Sequence, residues 1–201
     1  MALFTYAASG GPVMVPIVFG SIVALAIVLE RTVALRRSRV LPRNFAAAVL
    51  HGLRDGQWEG ARRAAVADHV AGRVLAALLE GDGRSRAERI ERAEVVARRE
   101  TAGLERGLGL LSVIATVEPL LGLLGTVGGM IVTFEVLAVD GVGTASNLAG
   151  GISQALVTTF GGLAVAIPAV VVHRLFVDHI DARMGEVERL AEQVLDGLLG
   201  R

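Results

Sequence analysis

Four side chains in this sequence combine polarity with an apolar setting. Glu118 is the sole charged residue between positions 107 and 134. Gln154, Thr158 and Thr159 lie within GISQALVTTFGGLAVAIPAVVVHR (151–174), which has no acid or arginine before Arg174. A carboxyl can take up and release a proton. An amide or a hydroxyl can only orient water or bond a neighbour, because neither titrates in the accessible range. An ionisable residue inside a span marks an ion pathway by default. These residue types therefore suit the interior of a helix bundle with a polar path, with two other readings open. Glu118 could be a carboxylate at the membrane interface, and a membrane threonine often bonds its own helix one turn back. Gln154 in hydrocarbon needs partners wherever it sits.

The elements that must position these groups show in the charge distribution. Hydrophobic residues make up 53% of the 201 and charged residues 20%, so the charges have to be segregated. Residues 1–29 carry none, 30–106 carry most, and 141–173 carry none apart from His173. A span needs roughly 20 mostly apolar residues. Three stretches qualify, 12–30, 114–136 and 151–173. The pattern predicts an all-α integral membrane protein with three transmembrane helices and a helical soluble part. The arginines follow the first apolar run and do not precede it, so that run reads as a retained span and not a cleaved leader.

Arginine asymmetry predicts orientation. The 31–106 segment holds sixteen arginines, the 137–150 link none, and the tail after 173 four. Residues 1–11 and 137–150 are thus expected outside. Residues 31–113 and a C-terminal helix over 174–201 are expected in the cytoplasm. Within the soluble part, PRNFAAAVLHGL and GQWEGARRAAVADHVAGRVLAALLE read as helices and Gly81-Asp82-Gly83 as a turn. From Arg86 to Gly107 the residues favour helix, with Glu88–Arg92 at i, i+4. The expectation is one long helix running from the cytoplasm into the second span. In the tail, Val177, Ile180, Met184, Val187, Ala191, Val194 and Leu198 form a heptad seam. It would pack on the chain's own helices, between copies, or both.

Small residues form stripes in the last two spans. Gly122, Thr126, Gly129 and Thr133 share one, and Gly151, Ala155, Thr159, Gly162, Ala166 and Ala169 another. Such stripes let helices approach closely in lipid. Gly122, Gly129, Gly162 and Ala155 are the expected packing positions. Thr158 and Gln154, four residues apart, are expected to share a different face, towards a neighbouring span or subunit. Glu118 and Glu135, about 25 Å apart along a helix, could sit near opposite edges of a core of about 30 Å. Pro119 leaves one carbonyl without its helical donor, which favours a bundle interior. With no cysteine, no nucleotide loop, no ligand cluster and no nucleophile arrangement, no enzyme, metal site or cofactor is expected. The absence of a basic tract argues against nucleic acid.

EPLLGLLGTVGGMIVTF and GISQALVTTFGGLAVAIPAVVVHRLF resemble the signature spans of the MotA/TolQ/ExbB proton-channel family, its ExbB branch most closely. GPVMVPIVFGSIVALAIVLERTVALRR is similar to that family's first span, whereas 40–105 matches only in general character. The resemblance implies a bacterial inner-membrane homopentamer whose second and third spans enclose a pore. It implies two copies of an ExbD-like single-span partner in that pore, whose aspartate accepts protons. A TonB-like protein would carry the resulting motion to the outer membrane. Protons would be the coupling ion. Thr126 and Thr159 fall on the family's two pore-lining threonines. Gln154 stands where the family commonly has glutamate, and Phe160 where one subgroup often has an acid. The third span therefore has no acid, and protonation is expected to rest on the partner, with Glu118 as a helper at the cytoplasmic mouth. A TolQ-like envelope-maintenance role and a non-conducting scaffold are the alternatives.

Overall fold

The computed structural model describes residues 10–42, 44–54, 69–80, 85–140 and 145–198. Every regular element among them is a helix: α1 (Met14–Ala34), α2 (Arg37–Val40), α3 (Phe45–Arg54), α4 (Val70–Leu79), α5 (Arg86–Leu104), α6 (Leu108–Asp140) and α7 (Ala145–Leu198). The expected turn at 81–83, much of the helix expected from 56, and part of the 137–150 link lie outside the described residues.

Three helices, α1, α6 and α7, are long and apolar enough to cross a membrane. At 1.5 Å per residue, α6 is about 50 Å long and α7 about 80 Å, both beyond a hydrocarbon core of about 30 Å. The expected boundary at residue 174 is no break. One helix carries both the third span and the tail, because nothing between Pro168 and Gly185 interrupts its pattern.

Two compact units divide the chain. One comprises residues 1–29 and 107–175, the other 30–106 and 176–201. In the first unit α6 runs antiparallel to both α1 and α7. The register is legible in its contacts: Gly122 meets Thr159, Gly129 meets Ala155, and the more distal Thr133 meets Gly151. Large apolar side chains such as Phe19, Leu25, Leu124 and Ile131 point outwards, more than half exposed. In water that surface would aggregate. In lipid it is the ordinary outer face of a span.

The second unit has the buried core of a soluble domain. Phe45, Val49, Val74, Leu75 and Leu78 are buried, as are Ile180, Met184, Val187 and Val194 of the heptad seam. The seam packs within this chain. Ser85 and Glu88 form a capping box that starts α5. Glu88, expected to pair with Arg92, turns back to the Ser85 backbone N–H and hydroxyl, at 2.9 and 2.8 Å. Arg92 reaches Glu80 at 3.9 Å. Two buried arginines close helix ends. Arg89 donates to the Leu78 carbonyl in the last turn of α4 (3.0 Å). Arg31 donates to Gly103 and Leu104 at the end of α5 (3.2 and 3.1 Å). A cation there also meets the negative end of the helix dipole.

The long helix expected from cytoplasm to membrane is corrected. α5 stops at Leu104 and α6 begins at Leu108. Gly107 between them has φ of 84°, a left-handed conformation that a helix interior does not contain. Its carbonyl then accepts the first N–H of the new helix, from Leu111 at 3.1 Å.

Candidate functional site

The polar groups of the spans are distributed over three different seams. Thr159 lies in the first. Its hydroxyl donates to the Gly122 carbonyl across the α6–α7 contact, at 2.9 Å. This is feasible only because Gly122 has no side chain: a Cβ there would stand 3.0 Å from Thr159 Cα and 3.2 Å from the Thr158 carbonyl. Gly162 packs one turn further along, against the Glu118 carbonyl and Gly122 Cα, and Gly129 packs on the buried Ala155. Thr126 is one turn beyond Gly122 on the same face of α6. Its hydroxyl donates to Leu123 (2.7 Å), and its side chain lines an open apolar groove with Met130, Ile131, Ala155 and Leu156. The structure thus brings Thr126 and Thr159 to neighbouring turns of one seam.

Thr158, 100° further round the helix, enters the second seam. It is wholly buried, and its hydroxyl donates to the Gly10 carbonyl at 2.8 Å while lying 3.0 Å from the Gln154 carbonyl. Gly125 leaves the room its side chain occupies. The exposed Gln154 carries its amide against Gly11. The two residues share a face, and that face meets the segment leading into α1. Gln154 is some 140° round α7 from Thr159, so the two do not form one lining.

Glu118 occupies the third seam, and its expected position at a pore mouth is revised. The side chain is 2% exposed, with one carboxylate oxygen against Gly20 of α1 and beside Ile114. It is enclosed by the chain's own helices and is absent from the face that carries Thr126. Glu135, by contrast, is exposed and lines the open groove.

Four groups escaped the sequence reading: Gly10, Gly11, Gly20 and Gly125. Each is a glycine that receives a polar side chain from a distant helix. The available signal was the spacing of Gly122 and Gly125, three apart, which places small residues on two adjacent strips of α6. Gly20 gave a weaker one, as an isolated glycine within the first apolar run.

Residues 66–189, more than half of the chain, match the MotA/TolQ/ExbB proton channel family. The chain is 36% identical over 196 residues to a Synechocystis protein named for biopolymer transport as ExbB-like 1, covering 92% of this chain and 77% of that one. It is 33% identical over 182 residues to an ExbB homologue of Methanothermobacter thermautotrophicus, covering 90% of this chain and 64% of the other. The biopolymer transport protein ExbB of Salmonella typhimurium is 38% identical over 90 residues, which is 45% of this chain and 37% of that protein. The Tol-Pal system protein TolQ of Pseudomonas aeruginosa is 36% identical over 107 residues, 53% of this chain and 46% of that one. That family is a proton channel family and not an enzyme family, and three apolar helices fit a multi-pass membrane protein. The chain belongs to the MotA/TolQ/ExbB proton channel family.

Proposed function

We propose that this chain is the channel-forming subunit of an ExbB–ExbD type complex that uses the proton motive force to energise TonB-dependent transport across an outer membrane. In this reading five copies surround two single-span partners in the inner membrane, with the N-terminus periplasmic and the C-terminus cytoplasmic. The supporting observation is the α6–α7 seam: glycine contacts lock Thr159 onto the Gly122 carbonyl, and Thr126 lies one turn away.

The two threonines line the proton path in this proposal. Gln154 bonds water or the entering segment. A carboxylate on the partner helix takes the proton. No bound cofactor is needed, because the proton is the coupling ion. TolQ likeness over about half of the chain favours a second reading, an envelope-maintenance motor built on the same pore.

The test is proton flux in liposomes holding this chain with and without an ExbD-like partner. Flux is expected only with the partner. Thr159→Ser, which keeps the hydroxyl, is expected to conduct, and Thr159→Val to lose most of the flux. A partner-bound complex that conducts no protons would leave a scaffold. Genetic complementation of a strain lacking its ExbB or its TolQ separates the two motors.

A further inference from the structure

Glu118 is not used by the path just described. The residue lies where three helices meet, its carboxyl towards α1 and its backbone carbonyl towards α7. Gly20 of α1 faces one oxygen so closely that a methyl there would overlap it. Ile114 lies beside it on α6, and Gly162 of α7 packs on the Glu118 backbone carbonyl. Ile17 and Ala24, three residues before and four after Gly20, are buried, as is Ala166 one turn beyond Gly162. The neighbours placed at the carboxyl itself, Gly20 and Ile114, are apolar. The second oxygen, Oε2, is buried and has no hydrogen-bond partner among the described residues.

Among the described residues, no charged group faces it from the helices packed around it. Between residues 14 and 29 α1 carries none. Across 108–134 α6 carries only Glu118, and α7 carries none from 145 to 172. Along their own helices, Glu30 and Arg31 follow Gly20 by about 15–16 Å, His173 and Arg174 follow Gly162 by about 16–18 Å, and Glu135 follows Glu118 by about 25 Å. A carboxylate with neither cation nor donor is the costliest state a buried acid can have. A bound proton removes the charge at once. It needs no extra room, because Oε2 is free to carry it.

We propose that Glu118 is a proton-binding site contained within a single chain, closed between α1, α6 and α7 and separate from the Thr126–Thr159 seam. With the proton bound, the neutral acid fits against Gly20 and the three helices stay packed. When the proton leaves, the carboxylate must draw in water or a cation, and only separation of α1 from α6 admits either. The site is thus a proton-dependent latch on the first span. Its use in energy coupling rests on the proton-driven reading above, while the site itself stands on this geometry.

Infrared difference spectroscopy on the assembled complex in lipid tests it. Wild type is expected to show a carboxylic-acid carbonyl band at neutral pH that Glu118→Gln lacks. That band is expected to vanish on alkalinisation, together with faster amide exchange in residues 14–29. If Glu118→Gln fails to assemble, Glu118→Ala serves for the subtraction. Superimposable wild-type and variant spectra at neutral pH would overturn the site. So would a band that persists at every pH the complex survives, since that acid exchanges nothing. Proton flux on the same samples separates the two claims. A band without flux removes the proton-driven reading and leaves the site, and flux without a band does the reverse.

Discussion

Gly122→Ala places one methyl in the tightest part of the α6–α7 seam. Its Cβ would stand 3.0 Å from Thr159 Cα, 3.2 Å from the Thr158 carbonyl and 3.3 Å from the Thr159 carbonyl. All three are backbone atoms, so no side chain can rotate away and α7 itself has to shift by a few tenths of an ångström. Overpacking of this kind costs about 1–3 kcal/mol. Against it stands the helix preference for alanine over glycine, about 1 kcal/mol. Gly128, on the same helix, has no atom within 4 Å of its own added Cβ, so Gly128→Ala should realise that gain alone. The pair therefore isolates the seam. Gly122→Ala is expected to be less stable than Gly128→Ala by about 1–3 kcal/mol, roughly a 5- to 150-fold difference in unfolding equilibrium. Denaturation in mixed detergent micelles, followed by circular dichroism, measures it. Because α7 shifts, the 2.9 Å bond from Thr159 to the Gly122 carbonyl should lengthen, and flux should fall with stability. Equal stabilisation by the two substitutions would refute the close packing.

Thr158→Val keeps shape and removes a wholly buried donor from the Gly10 carbonyl, so a loss of about 1–2 kcal/mol is expected in the same denaturation assay. Thr126→Val, whose hydroxyl bonds only its own helix at Leu123, is expected to stay within about 0.5 kcal/mol of wild type. Arg31→Met strips the carbonyls of Gly103 and Leu104 of a cationic donor; a cost of about 1.5–3 kcal/mol is expected, read as a lower thermal midpoint. Gly107→Ala forces a side chain into φ of 84°, with an expected cost of about 1–2 kcal/mol and a shift in the same midpoint.

The three spans were legible because their signal is local: an uninterrupted run without charge is visible in any window of 20 residues. The small-residue stripes were legible for the same reason, since 3.6 residues per turn places Gly122 and Gly129 on one face without knowledge of the partner. What failed were pairings across the chain. Nothing near Thr158 announces Gly10, which is 148 residues away. The angular position of Glu118 on α6 was derivable, but α1 covers that angle, and the depth of Gly20 follows only from packing. The break before α6 was missed for a different reason. Glu and Arg at helical spacing run up to Arg106, and the one contrary sign is a glycine whose backbone had to adopt φ > 0.

The hydroxyls of the spans share a chemical direction that bears on which ion they suit. Thr126, Thr133, Thr158 and Thr159 each donate to a backbone carbonyl, at 2.7, 2.7, 2.8 and 2.9 Å. A hydroxyl has one hydrogen, so each has committed it. What remains for a water molecule beside the partly exposed Thr126 and Thr159 is oxygen lone pairs. The nearby Gly122 carbonyl, already accepting from Thr159, adds acceptor character. A surface of acceptors orients water with its hydrogens towards the protein and stabilises a hydronium, whereas an anion meets repulsion. Arginine, the one strong donor in this composition, is absent from 107 to 173. In the proposed reading the seam is therefore matched in sign to a cation such as hydronium. Conduction needs in addition a group that releases the proton again, and neither threonine can do that.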